Sequence, residues 1–254
     1  MDLYIYPNII SEKYINRVKS SIAVLEEKGY RCFLGENDSN AIYGDSRYNK
    51  KTIDECDLLV SLGGDGTLLR AVDLAIKHNK NICGINCGHL GYLCAYRYDE
   101  LQDVDFSALT VKNYPLLQYC DGQQSNVYAL NDMVIGKDYF GGTIKLRVKV
   151  NDDILYDFMG DGLIVSSALG STCYNCSAGG KLLEKNSKQM VITPICPYTK
   201  GVESVVVDQN AVIEIESLKH IYRSSIYNDG IYHACFTKGR VSYGDTTINI
   251  LEKD

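Results

Sequence analysis

The run Leu58-Leu59-Val60-Ser61-Leu62-Gly63-Gly64-Asp65-Gly66-Thr67-Leu68-Leu69 constrains this chain more than any other stretch. The apolar segment Leu58 to Leu62 is short enough for a strand buried on both faces. Apolar residues then recur at helical spacing, at Leu68, Leu69, Val72, Ala75 and Ile76. The pattern predicts strand, tight loop and helix, with Asp65 offered at a strand's carboxyl end. Gly63, Gly64 and Gly66 carry no Cβ, so the backbone can turn sharply and bring N–H groups close to an anion, most obviously phosphate. A carboxylate among them would repel phosphate if it merely lined the site. It is better suited to taking a proton from a hydroxyl or to helping hold a bridging metal. The same residues also suit a plain connection in which Asp65 or Thr67 caps the helix, and the loop alone leaves both readings open.

With 254 residues and 45% hydrophobic content, the chain can fill one large domain or two small ones. Its formal net charge of −6 argues against a nucleic-acid surface, which needs clustered Lys and Arg. No apolar stretch approaches bilayer-spanning length, and Met1-Asp2-Leu3-Tyr4 lacks the basic start of a signal peptide, so a cytoplasmic protein with no membrane partner is expected. Among the ten cysteines, Cys32, Cys56, Cys83, Cys87, Cys94, Cys120, Cys196 and Cys235 read as reduced, small apolar fillers of strand-like segments. The C-x-x-C at Cys173 and Cys176 has no second pair and no histidine pair at zinc-finger spacing, so neither structural zinc nor a redox role is expected.

In chain order, Leu3-Tyr4-Ile5-Tyr6-Pro7-Asn8 reads as a first strand, and Ile15, Val18, Ile22, Val24 and Leu25 as a helix that Gly29 ends. Tyr30 to Leu34 is a second strand, followed by a polar loop from Asn37 through Tyr48. Ile82 to Asn86 resumes as a strand after the helix that follows the glycine loop. This alternation predicts a parallel, Rossmann-like sheet. The loop after Asn86, from Cys87 to Leu93, lies at the edge where open α/β sheets bind ligands. There His89 could be a base or a metal ligand, but a lone loop histidine is more often a hydrogen-bonding or solvated residue. Tyr92 and Leu93 would either flank a ring or fill the core. A short helix is expected from Asp99 to Leu109.

Beyond it the period changes to that of successive short strands. Ile144 to Val150 alternates apolar with basic residues, Asn151-Asp152-Asp153 turns, and Ile154-Leu155-Tyr156 restarts a strand. Val205 to Val207 and Val212 to Ile215 continue the theme, so a second, mostly antiparallel β domain is expected from a boundary near Val111 to Pro115. Asn131-Asp132 could recognise a sugar or base edge by donating and accepting together, or could form an Asx turn. Asp161, flanked by Gly160 and Gly162, leads into Gly170-Ser171-Thr172-Cys173-Tyr174-Asn175-Cys176-Ser177-Ala178-Gly179-Gly180. Residues so small and hydroxylated suggest close backbone approach to a ligand, with a helix starting near Ser171 or Thr172. From spacing alone Asn228-Asp229-Gly230 is a hairpin turn.

Together these motifs resemble those of the NAD kinase family, the ATP or polyphosphate NAD kinases that phosphorylate the adenosine ribose 2′-hydroxyl of NAD. The resemblance rests on Gly63-Gly64-Asp65-Gly66-Thr67, on Gly84-Ile85-Asn86 with Gly88-His89-Leu90-Gly91-Tyr92-Leu93, and on Asn131-Asp132. It extends through Asp161-Gly162 to Gly180, Thr193-Pro194-Ile195-Cys196-Pro197 and Asp229-Gly230, all in the family's order. It implies an α/β domain with a parallel sheet over residues 1–112, to which residues 236–254 are expected to pack back. A mostly antiparallel, NAD-binding β domain over 113–235 follows, with the active site in the cleft between the two.

By the same resemblance Asp65 is the proton acceptor, and Gly63, Gly64, Gly66 and Thr67 handle phosphates. Asn131 and Asp132 match the pair that holds adenosine. Thr172, Cys173, Tyr174, Asn175, Cys176 and Ser177 match the nucleotide-binding turn, with Tyr174 beside a ring. Asp161 matches a second ligand-side aspartate that can reach a neighbouring subunit's site, and Tyr92, Leu93 and Asp229 complete the binding set. The implied ligands are NAD as substrate, ATP or polyphosphate as donor, and Mg²⁺ carried by the donor, with no protein metal ligand assigned. A homodimer or homotetramer is implied, binding small-molecule nucleotides. Asp132 stands where glutamate is usual, Ala168-Leu169 replaces proline and a hydroxyl residue, and Tyr198 and Ile231 replace a histidine and a polar residue. A lipid kinase sharing the glycine loop, and a dinucleotide sensor without turnover, are the alternative readings.

Overall fold

Apolar strands alternating with amphipathic helices build the first part of the chain. The computed structural model describes residues 1–88, 91–122, 127–138, 141–218 and 223–253. Two compact units are present, Met1–Tyr114 with Thr247–Asp254, and Pro115–Thr246. In the first, β1 (Asp2–Pro7), α1 (Glu12–Glu27), β2 (Arg31–Leu34), α2 (Glu36–Tyr43), β3 (Leu58–Gly63), α3 (Asp65–Lys77), β4 (Ile82–Asn86) and the short β5 (Tyr96–Arg97) follow in order. The sheet is parallel in the order β2-β1-β3-β4. β3 and β4 are buried along their whole length, which is why their sequences do not alternate. Val18, Ile22 and Leu25 of α1 pack into the core with Leu3, Ile5 and Leu34, and α3 buries Leu68, Ala71, Val72 and Ala75.

Two local expectations are corrected. The polar loop expected from Asn37 through Tyr48 contains most of α2. Ser39 and Ile42 are its buried residues, and Gly44, at φ 76°, ends it. The Ser39 hydroxyl donates to the Asp45 carbonyl at 2.7 Å. Two buried residues in a polar octet leave too little apolar periodicity to announce a helix. The single helix expected from Asp99 to Leu109 is two 3₁₀ turns, Tyr98–Asp103 and Phe106–Ala108. The Asp105 carboxylate starts the second by accepting from the Ser107 N–H at 2.9 Å.

The later sequence forms strands: β6 (Thr110–Cys120), β7 (Val127–Ala129), β8 (Asp132–Lys137), β9 (Ile144–Val150), β10 (Asp153–Gly160) and β11 (Gly162–Ser166). After the single turn α4 (Tyr174–Ser177) come β12 (Met190–Ile195), β13 (Val205–Val207), β14 (Ile213–Ser217), β15 (Ser224–Asn228), β16 (Ile231–Phe236) and β17 (Lys238–Glu252). One sheet of the second unit is antiparallel throughout, in the order β13-β12-β11-β8-β15-β16. In the other, β10, β9, β14 and the start of β17 pair antiparallel. Ile144, Leu146 and Val148 of β9 enter a core with Phe158, Ile213, Ile215 and Val241.

The opposite face of β9 is charged. The register aligns Asp157, Arg147, Glu216 and Lys238 in one row and Lys149, Glu214 and Arg240 in the next, so opposite charges alternate across the strands. These rows line a depression of about 490 Å³ whose walls include none of the predicted site residues.

The last strand serves both units. Val241 pairs with Ile213 in the second, and Ile250 with Ile82 in the first. Within the first unit the Asn113 amide donates to Thr247 Oγ1 and Asn249 Oδ1, both at 2.8 Å, and the Tyr114 hydroxyl donates to Glu252 Oε1 at 2.8 Å.

Candidate active site

At the end of β3 the chain passes from Gly63 into α3 with Gly64 at the N-cap position and no side-chain cap. Asp65 and Thr67 therefore do not cap the helix. The Asp65 carboxylate, half-buried, turns instead toward the loop after β4. Its Oδ2 accepts from the Tyr92 N–H at 2.7 Å and its Oδ1 from the Leu93 N–H at 3.2 Å. The Cys94 thiol donates to Oδ1 at 3.6 Å. Burial first, and then the charge of Asp65, push that thiol's pKa well up, so it stays protonated as a donor. Thr67 is buried and occupies the space a side chain at Gly63 would need. Asn86 Oδ1 accepts from the Gly88 N–H at 2.7 Å and shapes the start of the same loop.

Tyr92 and Leu93, paired in the sequence reading, have different fates. Leu93 is core, while the Tyr92 side chain is 81% exposed and available to a ligand. His89 and Leu90 lie outside the described residues.

In the second unit the backbone at Leu130–Asp132 is gripped from two sides. Asp229 Oδ2 accepts from the Leu130 N–H at 2.8 Å, and its Oδ1 accepts from the N–H groups of Asn131 and Asp132 at 2.8 and 3.1 Å. On the carbonyl side, the Ser167 hydroxyl donates to Leu130 O at 2.6 Å and the Ser167 N–H to Asn131 O at 2.8 Å. Gly170 has no side chain because a Cβ there would strike the Asn131 backbone. Asn131 and Asp132 are 7% and 6% exposed. The Asn131 amide donates to Cys173 Sγ at 3.8 Å, and its Oδ1 is buried with no hydrogen-bond partner. Burial, and secondarily the charge of Asp229, raise the Asp132 carboxyl to about 7.

The helix expected near Ser171 is shorter than its sequence suggests. A 3₁₀ turn, Gly170–Thr172, leads through Cys173 into the one-turn α4. Thr172, Cys173, Tyr174, Cys176 and Ser177 are exposed there. Asn175 is fully buried. Its amide donates to the carbonyls of Ser171 and Lys181 at 2.8 and 3.0 Å, and its Oδ1 accepts from the Thr193 hydroxyl at 2.6 Å. It pins the turn and presents no group outward. Asp161 Oδ1 accepts from Lys137 Nζ at 2.6 Å, an ion pair with no sequence signal. Burial first, and then the charges of Cys196, Asp132 and Asp161, raise the Tyr174 phenol above its ordinary value.

No disulfide joins any of the ten cysteines, and Cys196 and Cys235, expected as fillers, are exposed. Cys196 adopts φ 45° just beyond β12, outside the pleat that would have buried it. Among the described residues no three His, Cys, Asp or Glu gather to hold a metal, and no helix is long and apolar enough to cross a membrane. Sequence reasoning gave no role to Asn86, Gly91, Lys137 and Ser167, which act on the site through other residues.

Residues 11–109 match the family model for the ATP-NAD kinase N-terminal domain, and residues 130–240 that for the ATP-NAD kinase C-terminal domain. An NAD kinase of Caldanaerobacter subterraneus subsp. tengcongensis is 31% identical over 237 residues, 89% of this chain and 83% of that protein. The chain belongs to the NAD kinase family. It is accordingly an enzyme, a phosphotransferase that makes NADP from NAD. Two solved structures share the NAD kinase fold, an N-terminal domain followed by a mostly antiparallel β domain. Yeast NADH kinase complexed with NADH gives a TM-score of 0.82 at 20% identity, covering 100% of this chain and 84% of that one. An NAD kinase from Archaeoglobus fulgidus in complex with ATP gives 0.77 at 21%, covering 100% and 93%.

Proposed function

We propose that this NAD kinase transfers the γ-phosphate of ATP, or a phosphate of polyphosphate, to the 2′-hydroxyl of the adenosine ribose of NAD, with Asp65 as the base. The observation that carries the assignment is the Asp65 carboxylate at the carboxyl end of β3, flanked by glycines and oriented by the N–H groups of residues 92 and 93. A carboxylate has about four acceptor positions, so the two backbone bonds fix its direction and leave capacity for a hydroxyl proton. Removing that proton as the oxygen approaches phosphorus is general-base catalysis. The rest of the task is positioning and charge stabilisation. Gly64 and Gly66 let phosphate oxygens approach the backbone, while Gly63 makes room for Thr67. Mg²⁺ entering on the donor's phosphates would supply further positive charge there.

The acceptor's adenosine is assigned to Asn131 and Asp132, whose buried amide oxygen still lacks a partner. Its ring is assigned to Tyr174, on the exposed turn with Thr172, Cys173, Cys176 and Ser177. Asp161 is a further ligand-side group, shared with Lys137. Asn175 supports the turn from within. The relatives' NADH and ATP complexes favour a dinucleotide acceptor and a nucleoside triphosphate donor here. A cytoplasmic homodimer or homotetramer completes the reading.

The test is an assay of purified enzyme with NAD or NADH against ATP or polyphosphate, in Mg²⁺. NADP is expected from NAD and ATP. Asp65→Asn is expected to lower kcat by about 10²- to 10⁴-fold with an unchanged melting temperature. Undiminished turnover in that variant would overturn the base assignment.

A further inference from the structure

Asp229 sits in the two-residue turn between β15 and β16, at φ 47°, with Gly230 at φ 78°. These left-handed values are those of a tight hairpin, and asparagine or glycine would satisfy them as well as aspartate does. Turn geometry therefore does not explain a carboxylate at this position. Its side chain contacts do. Both oxygens accept from the three successive N–H groups of Leu130, Asn131 and Asp132, at 2.8 to 3.1 Å, and the Asp229 N–H returns a bond to Asp132 O at 3.0 Å. An ionised group so bonded forms charge-assisted hydrogen bonds, stronger than neutral ones. Next to this anchor stands a buried amide oxygen, Asn131 Oδ1, without a partner. A buried acceptor left open is costly unless a ligand fills it.

We propose that Asp229 is a positioning residue of the acceptor site, its carboxylate orienting Asn131 and Asp132 toward the dinucleotide through their backbone. The inference rests on the NAD kinase reading. It separates Asp229 from the groups that touch substrate, and it gives the hairpin a second effect through charge. The groups facing Asp132 are Asp229 from the β15–β16 turn and Tyr174 from α4, both of which interact with it electrostatically. Ser166 stands opposite it on β11, and the Cys173 thiol touches its neighbour Asn131. Of these, Asp229 supplies the negative charge that, after burial, holds Asp132 protonated up to about pH 7. Ribose hydroxyls are donors, and an ionised carboxylate accepts more of them than a protonated one. NAD affinity in the wild type should therefore rise as pH passes up through about 7 and then level off. Without the Asp229 charge, Asp132 ionises at lower pH and the rise moves down with it.

The experiment measures the Kd for NAD by calorimetry from pH 5.5 to 8.5, without phosphate donor so that Asp65 chemistry does not enter, alongside steady-state kinetics at pH 8. For Asp229→Asn, which keeps the left-handed turn, the KM for NAD at pH 8 should rise about tenfold with kcat within about threefold, and the acid-side loss of affinity should shift to lower pH. Asp229→Glu keeps the charge but displaces the oxygens, so it should raise KM and leave that pH dependence in place. Asp132→Asn should abolish it. Should Asp229→Asn fail to fold, the Asp229→Glu and Asp132→Asn pair decides. An unmoved pH dependence in folded Asp229→Asn, or an unchanged KM in Asp229→Glu, overturns the proposal. A wild type that binds no NAD and forms no NADP defeats the functional reading instead.

Discussion

Gly91 and Asp65 leave no room between them for a methyl group. A Cβ at Gly91 would stand 2.8 Å from Asp65 Oδ1 and 2.5 Å from Asn86 Nδ2. The carboxylate proposed as the base is thus placed by bonds from residues 92 and 93 and also by the missing side chain one position earlier.

Gly91→Ala should consequently push the carboxylate off its line. A displacement near 1 Å costs on the order of 10²-fold in rate, so kcat is expected to fall by about that factor with little change in melting temperature. Gly84→Ala is the contrast, because its Cβ would meet Cys94 Sγ at 2.7 Å and Leu68 Cδ1 at 2.9 Å inside the core. Overpacking of that kind costs about 1–3 kcal/mol, read as a melting temperature several degrees lower. Thermal melts beside initial rates distinguish the two. Equal loss of stability in both variants would remove the positional account of Gly91.

Asn175 offers a second division between structure and ligand contact. Its side chain makes three hydrogen bonds, two of them fully buried, that join α4 to Lys181 and β12. Asn175→Ala removes the donor to two carbonyls and leaves the Thr193 hydroxyl to Ser204 Oγ at 2.8 Å, at a cost of about 2–4 kcal/mol. Urea unfolding should show this loss, with KM for NAD affected no more than kcat. A variant with wild-type stability and a selectively raised KM would return Asn175 to the ligand side.

Thiol chemistry reads the same turn from outside. Cys173, Cys176, Cys196 and Cys235 are exposed, whereas Cys32 and Cys87 are buried with pKa values pushed up by burial to about 12 and about 11. At pH 8 a maleimide should label the exposed four first, as located by peptide mass spectrometry, because the thiolate is the reactive form. Saturating NAD should slow Cys173 and Cys176 and leave Cys235 unaffected. Equal labelling with and without NAD would argue against the turn as part of the binding site.

The legible features were those whose cause is local. The glycines around Asp65, the continuous apolar run of β3 and the alternation of Ile144, Leu146 and Val148 each state their environment in neighbouring residues. What escaped was set by distant partners. Asp229 looked like turn chemistry because its role depends on N–H groups about a hundred positions away. Asn175 looked like a ligand group because its acceptor and donors lie on other segments. α2 was hidden because two buried residues suffice to hold it when the sheet beside it is already apolar. In each case the residue type was visible and its partner was not.

The final strand has a consequence for synthesis. Ile248, Ile250 and Leu251 are buried in the first unit, although they follow the whole of the second unit in the chain, which is one uninterrupted segment. On the ribosome the later-coded half can therefore mature while the earlier-coded half still waits for its closing piece. A chain cut just before Thr247 would leave the first unit open to proteases and spare the second.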